Sequence, residues 1–548
     1  MVLADKFRLG SVLGDTFAVI RRNPNALIEA RALDRERRKN GPRGPLHGIP
    51  VLLKDNYDTY DMRTSAASLS LEKSVPPDDG YLVRRLREAG AIFLGKTNMH
   101  EFAYGITTIS SLGGQTLNPY DPRRNPGGSS GGTGAAIAAN FAVFGMGTDT
   151  CGSIRIPSSH NSLVGLRVTQ GLFSRDGIIP LSLTQDVGGP LARSVEDIAV
   201  VLDATAGFDP NDPVTSVSTS HTPASYTDYL HTGRLDGARF GLLRDALVTV
   251  PEDQEVADVI LAAKAQLESL GATVIDVSIP DYATVSNVSV IAMEFKENLD
   301  AYLAATPRAP RKTLQEIVDS GLYHPSLDAT LRAALASGTN VPGYAERIAG
   351  RTTFKQALVA AMDDNQLDGL IYPTIRQKPV FVPSTSQPGS NCRVSAQSGL
   401  PAISVPAGFT QDGIPVGMEF LGHEFSEGDL LSMAYSWQEA THHHAPPAST
   451  PELEPQWTYK VSDDVATFSI NQVTHQLRFS APGLETFTYI DPEMTKAGKV
   501  ISGDLQDSRW RIRYIVPADK AKFRTAVIFV ESLTAGGTYT LFGTPVSQ

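Results

Sequence analysis

Apolar positions fall into two rhythms along the chain. In NALIEARALDRERRKN, Leu27, Ala30 and Leu33 recur at helical spacing with charges on the opposite face, so the first 40 residues read as helical. The Gly- and Pro-rich run GPRGPLHGIP breaks that pattern, and Val51-Leu52-Leu53 predicts a short buried strand. From Asp79 to Gly90 a second helix is expected, capped by Asp78 or Asp79, with Leu82, Val83 and Leu86 inward and Gly90 as its stop; AIFLGKTN follows as a strand. The same order recurs after Pro251. There Val256, Val259, Ile260, Ala263, Leu267 and Leu270 line one helical face, Gly271 ends it, and TVIDVSIP reads as a strand. Helix alternating with strand predicts an α/β layered core built on a central sheet.

The rhythm changes towards the C-terminus. Residues 207–237 are rich in Asp, Ser, Thr and Pro and read as a long surface excursion inside the core. The segment APPASTPELEPQ then carries Pro446, Pro447, Pro451 and Pro455, a stiff solvated linker composition. Beyond it Trp510, Ile512, Tyr514 and Val516 alternate with other residues, and Phe468, Ile470 and Phe479 lie in similar segments. The expected organisation is a core over 1–447, a linker over 448–456 and a small all-β module over 457–548, of unknown role.

Composition narrows the possibilities. The 548 residues are 41% apolar and 20% charged, ordinary globular usage, which excludes global disorder and collagen-like repeats. A net charge of −11 without a basic block argues against nucleic acid or an anionic membrane as partner. Cys151 and Cys392 cannot build a disulfide framework; they fit a reducing compartment or one incidental bridge. MVLADKFRLG lacks the apolar core of a secretory signal, and the most apolar long stretch, GAAIAANFAVFGMG, is shorter than the roughly 20 residues that span a bilayer. A soluble cytoplasmic protein is expected.

Chemistry concentrates between Asn125 and Ser159. A glycine-rich loop, Gly127 to Gly134, leads into an Ala-rich segment, a short strand and a second glycine turn, TDTCGSIR. Such loops bring backbone N–H groups close to a partner. No lysine follows these glycines as a nucleotide P-loop requires, and the polar, proline-rich NPYDPRRNP before them is no strand. The same run weakens the G-x-S-x-G match at Gly127–Gly131, which needs a strand entering its turn. Ser70-Leu71-Glu72-Lys73 is an isolated S-x-x-K match. His442-His443-His444 read as a solvated helix end, Glu101 as a structural pairing residue beside His100, and Arg376 and Arg393 as surface or core pairing residues. Lys54 taken alone reads as a snorkelling strand-end lysine.

Six ordered segments change that weighting: GPLHGIPVLLKDN, LGKTNMHEFAYG, NPYDPRRNPGGSSGG, MGTDTCGSIRIPSSHNSLVGLR, GPLARSVEDIAVVLDATAG and GLPAISVPAGFTQDGIPVGMEFLG. With them the chain, from about residue 20 to about 447, resembles the amidase signature family of serine amidohydrolases. The resemblance implies a core with a central mixed sheet flanked by helices. It implies a catalytic set of Lys54, Ser129 and Ser153, with Ser129 after a cis peptide. It further implies an oxyanion turn of Thr150, Cys151, Gly152 and Ser153, supported by Ser130, Asp149 and Arg155. No metal or other cofactor is implied, and the partner is a small-molecule amide, with a homodimer as an option. Cys151 stands where many relatives have glycine, and the N-terminal helical arm looks shortened. A lysine base is neutral at pH 7 only at a cost of about 4.6 kcal/mol in an exposed site, so Lys54 has to be buried. The alternatives are a non-catalytic binding protein, an allophanate-hydrolase-type amidase and an amidotransferase-type component.

Overall fold

A computed structural model of the chain describes residues 17–449 and, beyond them, the backbone of strands between Gln456 and Pro545. The chain divides into two compact units, Met1–Pro451 and Glu452–Gln548. In the first unit the strands are β1 (Val19–Arg22), β2 (Pro50–Lys54), β3 (Ile92–Thr97), β4 (Ile109–Ser110), β5 (Gly114–Gln115), β6 (Phe144–Asp149), β7 (Val164–Arg167), β8 (Val187–Ala192), β9 (Arg239–Leu243), β10 (Thr273–Val277), β11 (Gly369–Pro373), β12 (Ala402–Phe409) and β13 (Pro415–Leu421). All but the small β4–β5 hairpin join one 11-stranded sheet in the order β1-β3-β2-β6-β8-β7-β12-β13-β11-β9-β10. It is mixed: β2 runs parallel to β3 and β6, whereas β6 and β8 pair antiparallel.

Strand alternation sends neighbouring side chains to opposite faces. Val51 and Leu53 join the larger core, under the helices Tyr81–Glu88, Val195–Thr205, Gln254–Ser269 and Glu427–Thr441. Leu52, between them, packs on the other face with Ala135, Ile137 and Leu191, beneath the helix Gly131–Ala138. Coverage on both faces explains why this strand is a continuous apolar run without polar alternation. Further along, Phe354, Leu358 and Met362 of the helix Tyr344–Asp364 pack on Leu370 and Tyr372 of β11. A helical lobe comprising Ile291–Ala305, Leu314–Ser320 and Asp328–Leu335 builds its own core against Leu71, Met99 and Phe102.

Several expectations need correction. The N-terminal region is not helical throughout: β1 pairs antiparallel with β3, and the helix begins at Ala26. A free sheet edge and the extended preference of Val19-Ile20 outweigh local helical spacing there. The second helix is Tyr81–Glu88 with Gly80 at its N-cap position and no side-chain cap; Asp79 instead pairs with Arg87. Pro251 opens a 3-10 turn, Pro251–Asp253, ahead of the α-helix Gln254–Ser269. His443 and His444 are not a solvated end. His443 Nε2 lies 2.8 Å from Gln266 Oε1 beside the Trp437 ring, and His444 Nδ1 lies 2.6 Å from the Ser162 carbonyl.

Between Gln456 and Pro545 the described backbone is paired into one nine-stranded antiparallel sheet. The alternation expected at Trp510–Val516 concerns side chains outside the described residues, as do the linker between 450 and 455 and the N-terminal residues 1–16. Because the core clusters close within the first unit, a chain ending at Pro451 is expected to fold by itself. Circular dichroism and thermal unfolding check this: one cooperative transition is expected, at the temperature of the main transition of the full chain.

Candidate active site

The site lies at the carboxyl ends of β2 and β6, the edge where open α/β sheets commonly gather their ligands. Lys54 is the last residue of β2 and is fully buried. Its Nζ donates to Ser129 Oγ at 2.7 Å, to Thr148 Oγ1 at 2.7 Å and to the Thr148 carbonyl at 3.3 Å. Asn56 Nδ2 donates to the same Thr148 hydroxyl at 3.1 Å. Ser129 follows a cis peptide with Gly128 and lies just before the helix Gly131–Ala138. That helix sits unusually close to the strand ends: a Cβ on Gly132 would lie 2.2 Å from the Asn98 carbonyl oxygen. Glycine is what lets the loop carry Ser129 this near β2 and β3.

The turn after β6 is held from within. Asp149, fully buried, accepts from the backbone N–H of Gly152 at 2.7 Å and of Ile154 at 3.2 Å. Arg155 Nε reaches the same carboxylate at 3.1 Å, and its Nη1 reaches Glu419 Oε2 on β13 at 2.7 Å. Arg167 donates to both the Asp149 carbonyl and its carboxylate. Thr150 is fixed on its other side: its hydroxyl donates to Asp186 and its carbonyl accepts from Gln185 Nε2. Gly152 has φ +87, and a Cβ there would lie 2.9 Å from Cys392 Cβ, so the turn requires glycine on two counts.

These contacts bring the expected residues together. Ser130 N–H donates to the Ser153 carbonyl at 3.2 Å, and the Ser130 hydroxyl lies 3.3 Å from the Thr148 backbone N and carbonyl, tying the glycine loop to the turn after β6. Ser153 is 3% exposed, and Lys54 and Ser129 are fully buried. One detail of the expected turn changes. The Gly152 N–H is engaged by Asp149, whereas among the described residues the N–H groups of Thr150, Cys151 and Ser153 donate to no acceptor.

Burial sets the electrostatics. It pushes the Lys54 amine down from the ordinary lysine range to about 7, against the opposing pull of the Asp149 and Asp186 carboxylates. Burial likewise raises Asp149, but the guanidinium groups of Arg155 and Arg167 overcome it and hold this carboxyl well below its usual range. His100, buried near Lys54, is driven down to about 3 and stays neutral, accepting from the Thr107 N–H through Nδ1.

The amidase family model matches residues 15–431. The chain is 37% identical to a glutamyl-tRNA(Gln) amidotransferase subunit of Moorella thermoacetica over 455 residues, 80% of this chain and 92% of that one. Among solved structures, the native peptide amidase of Stenotrophomonas maltophilia superposes with a TM-score of 0.71 at 40% identity, covering 79% of this chain and 90% of its own. The Thermotoga maritima glutamyl-tRNA(Gln) amidotransferase subunit gives a TM-score of 0.61 at 27% identity, covering 73% and 86%. This chain belongs to the amidase family. It is an enzyme of carboxylic amide C–N hydrolysis.

Other candidates in this amidase fall outside the site. Glu101 is buried and accepts from Ser111 and from the His324 N–H, which fastens the helical lobe to the core. Arg376 pairs with Asp253 and Asn391, and Arg393 reaches Ser286. Among the described residues no group of three or more His, Cys, Asp or Glu could hold a metal ion, and no helix is long and apolar enough to cross a membrane. The cysteines are not free: Cys151, in the turn after β6, is disulfide-bonded to Cys392, one bridge as the sequence allowed. Such bridges persist in oxidising compartments, so the cysteine count does not argue for a reducing one.

Sequence reasoning missed Thr148, Asn56, Asp186, Gln185, Arg167 and Glu419. Thr148 lay in view, one residue before Asp149, but nothing in its type marks it as the partner of an amine. Glu419 lies in the quoted segment GIPVGMEFLG, a lone acid inside an apolar strand, and that conflict was the available signal. Replacing Arg155 with Met should leave the buried Glu419 carboxylate without its cation and Asp149 with Arg167 alone, and cost about 3–5 kcal/mol of stability. Denaturant unfolding of the two proteins at neutral pH measures the difference.

Proposed function

We propose that this amidase is a serine amidohydrolase that works through an acyl-enzyme on Ser153, with Ser129 as the proton bridge and Lys54 as the base. The observation that carries the reading is the sealed contact of the Lys54 amine with the Ser129 hydroxyl, in surroundings that bring the amine down to about 7. A serine hydroxyl needs a base to become a nucleophile. Neutral Lys54 takes the proton of Ser129 as Ser129 takes that of Ser153. Ser153 Oγ attacks the amide carbonyl carbon, and the N–H groups of Thr150, Cys151 and Ser153 receive the developing oxyanion. The relay hands the proton to the departing nitrogen, which leaves as ammonia or amine. Water then repeats the sequence and releases the carboxylic acid. A hydrogen bond from Ser153 to Ser129 is not among those of the described residues; catalytic hydrogen bonds commonly tighten only with substrate in place.

For substrate, the reading is a carboxamide carried by a small molecule or a peptide, taken up by the single chain. It is supported by the likeness to the Stenotrophomonas maltophilia peptide amidase, at higher TM-score and identity than the Thermotoga maritima amidotransferase subunit. The amidotransferase reading retains one specific support, the 37% identity to the Moorella thermoacetica subunit. A screen of amides with released ammonia or amine as readout separates them: peptide amides or aryl amides turned over by the isolated chain support the first, and glutamine alone the second.

Two outcomes test the catalytic assignment. Labelling by a fluorophosphonate should vanish in Ser153→Ala and slow strongly in Lys54→Ala; persistent labelling of the serine variant refutes the nucleophile. The base is active only when unprotonated, so kcat/KM is expected to rise about tenfold per pH unit below about 7 and to level off above it. A flat profile from about pH 6 to 9, with chemistry limiting, contradicts a lysine base.

A further inference from the structure

Cys151 is the residue of the turn after β6 whose side chain leaves it through a covalent bond. It is joined covalently to Cys392, 241 residues later, with Cα atoms 4.9 Å apart. Cys392 is itself well seated. Its carbonyl accepts from Arg155 Nη2 at 3.2 Å, its N–H donates to Ser390 Oγ, and its neighbour Asn391 donates to the carbonyls of Ala246 and Pro373. It also opens the helix Arg393–Ser398, whose Gln397 side chain accepts from the Val288 N–H. The bridge thus fixes the turn to a separate wall of the core.

Within the turn, the neighbours of Cys151 are held by weaker means. Thr150 is tied to Asp186 and Gln185, and Gly152 to Asp149. Cys151 lies between these anchors, and among the described residues its N–H donates to no acceptor. Its side chain has no anchor but the bridge. The close approach of Cys392 Cβ to the Gly152 position shows that the second wall is packed directly onto the turn.

The geometry points to the Cys151–Cys392 disulfide as a positioning element of the amide-cleaving turn, so that the enzyme works at full rate only with the bridge closed and slows when a thiol reductant opens it. This rests on the reading of the turn as the oxyanion site. Donors aimed at a developing oxyanion act through fixed geometry, and loss of one typically costs about a hundredfold or more in rate. Opening the bridge loosens such a donor without removing it, which gives a smaller loss that falls on kcat and spares substrate binding. A phosphine supplies the two electrons, water supplies two protons and one oxygen, and the products are two thiols and the phosphine oxide. Both cysteines are partly exposed, so the reagent reaches them.

The experiment uses the full chain, purified without reductant, and an aryl amide found by the screen. Thiols are titrated in denaturant before and after treatment with a phosphine. Kinetics are then measured at 25 °C alongside near- and far-UV circular dichroism. The expected result is no thiol before treatment and two after it, a kcat lower by about tenfold or more, KM within about twofold, unchanged spectra, and recovery of kcat with oxidised glutathione. Cys392→Ser should show the same low kcat and no response to phosphine. If that variant does not fold, reduction of the folded wild type carries the test. Unchanged kcat after reduction overturns the proposal, because a bridge that only stabilises would lower the melting temperature and spare the rate. Loss of both kcat and the native spectra also overturns it, as do free thiols before treatment. Ser153→Ala separates the two readings. Oxidised wild type no faster than this variant removes the serine mechanism and the bridge's role with it; activity that depends on Ser153 but ignores the phosphine removes the bridge's role alone.

Discussion

Everything in the core is arranged so that an amine can be buried without becoming a permanent cation. The Lys54 side chain runs from the end of β2 into the buried interior and meets two hydroxyls and a carbonyl; among the described residues no carboxylate is hydrogen-bonded to it. A carboxylate in direct contact would fix the proton on nitrogen; a pair of hydroxyls accepts from the amine and leaves its charge adjustable. Asp149 and Asp186 are near enough to oppose the effect of burial but are each committed elsewhere, to the arginines and to Thr150. The amine is brought close to neutrality by its distance from water.

That arrangement depends on a second, costly one. Asp149, Arg155, Arg167 and Glu419 form an ionic knot with almost no exposure. Buried ion pairs are a poor route to stability, because desolvation offsets much of their attraction. Here the knot does something a hydrophobic cluster could not. The Asp149 carboxylate collects the backbone N–H groups of Gly152 and Ile154. One buried anion thus holds the turn from within, and the Cys151–Cys392 bridge adds a covalent tie from the far wall.

The chemistry of the site was unusually legible because it lies in short stretches whose glycine and serine spacing is unlike ordinary sequence. Lys54, Ser129, Ser153, Asp149 and Arg155 could all be named from such stretches. The partners that tune them could not. Thr148 and Asn56 are common residue types in unremarkable positions, and Glu419 and Cys392 are hundreds of residues away along the chain. The disulfide shows the limit well: two cysteines in a long chain could be counted, but their pairing needed the tertiary fold, which sets the turn after β6 against the segment before β12. Glycines were read more surely, since a close backbone approach such as that of Gly132 to Asn98 leaves no other residue possible.

By itself the sequence determined the alternation of helix and strand, the buried character of β2 and the family to which the chemistry belongs, because periodicity and local spacing are properties of neighbouring residues. It did not determine that Val19–Arg22 is a strand, that the histidines near 443 are tied to the core, or which N–H groups of the turn remain available. Each of those is set by a partner distant in sequence: a free sheet edge, a glutamine on another helix, a carboxylate already engaged. Only the tertiary structure decides such matters, because the free energy of a buried polar group depends on what faces it across the fold.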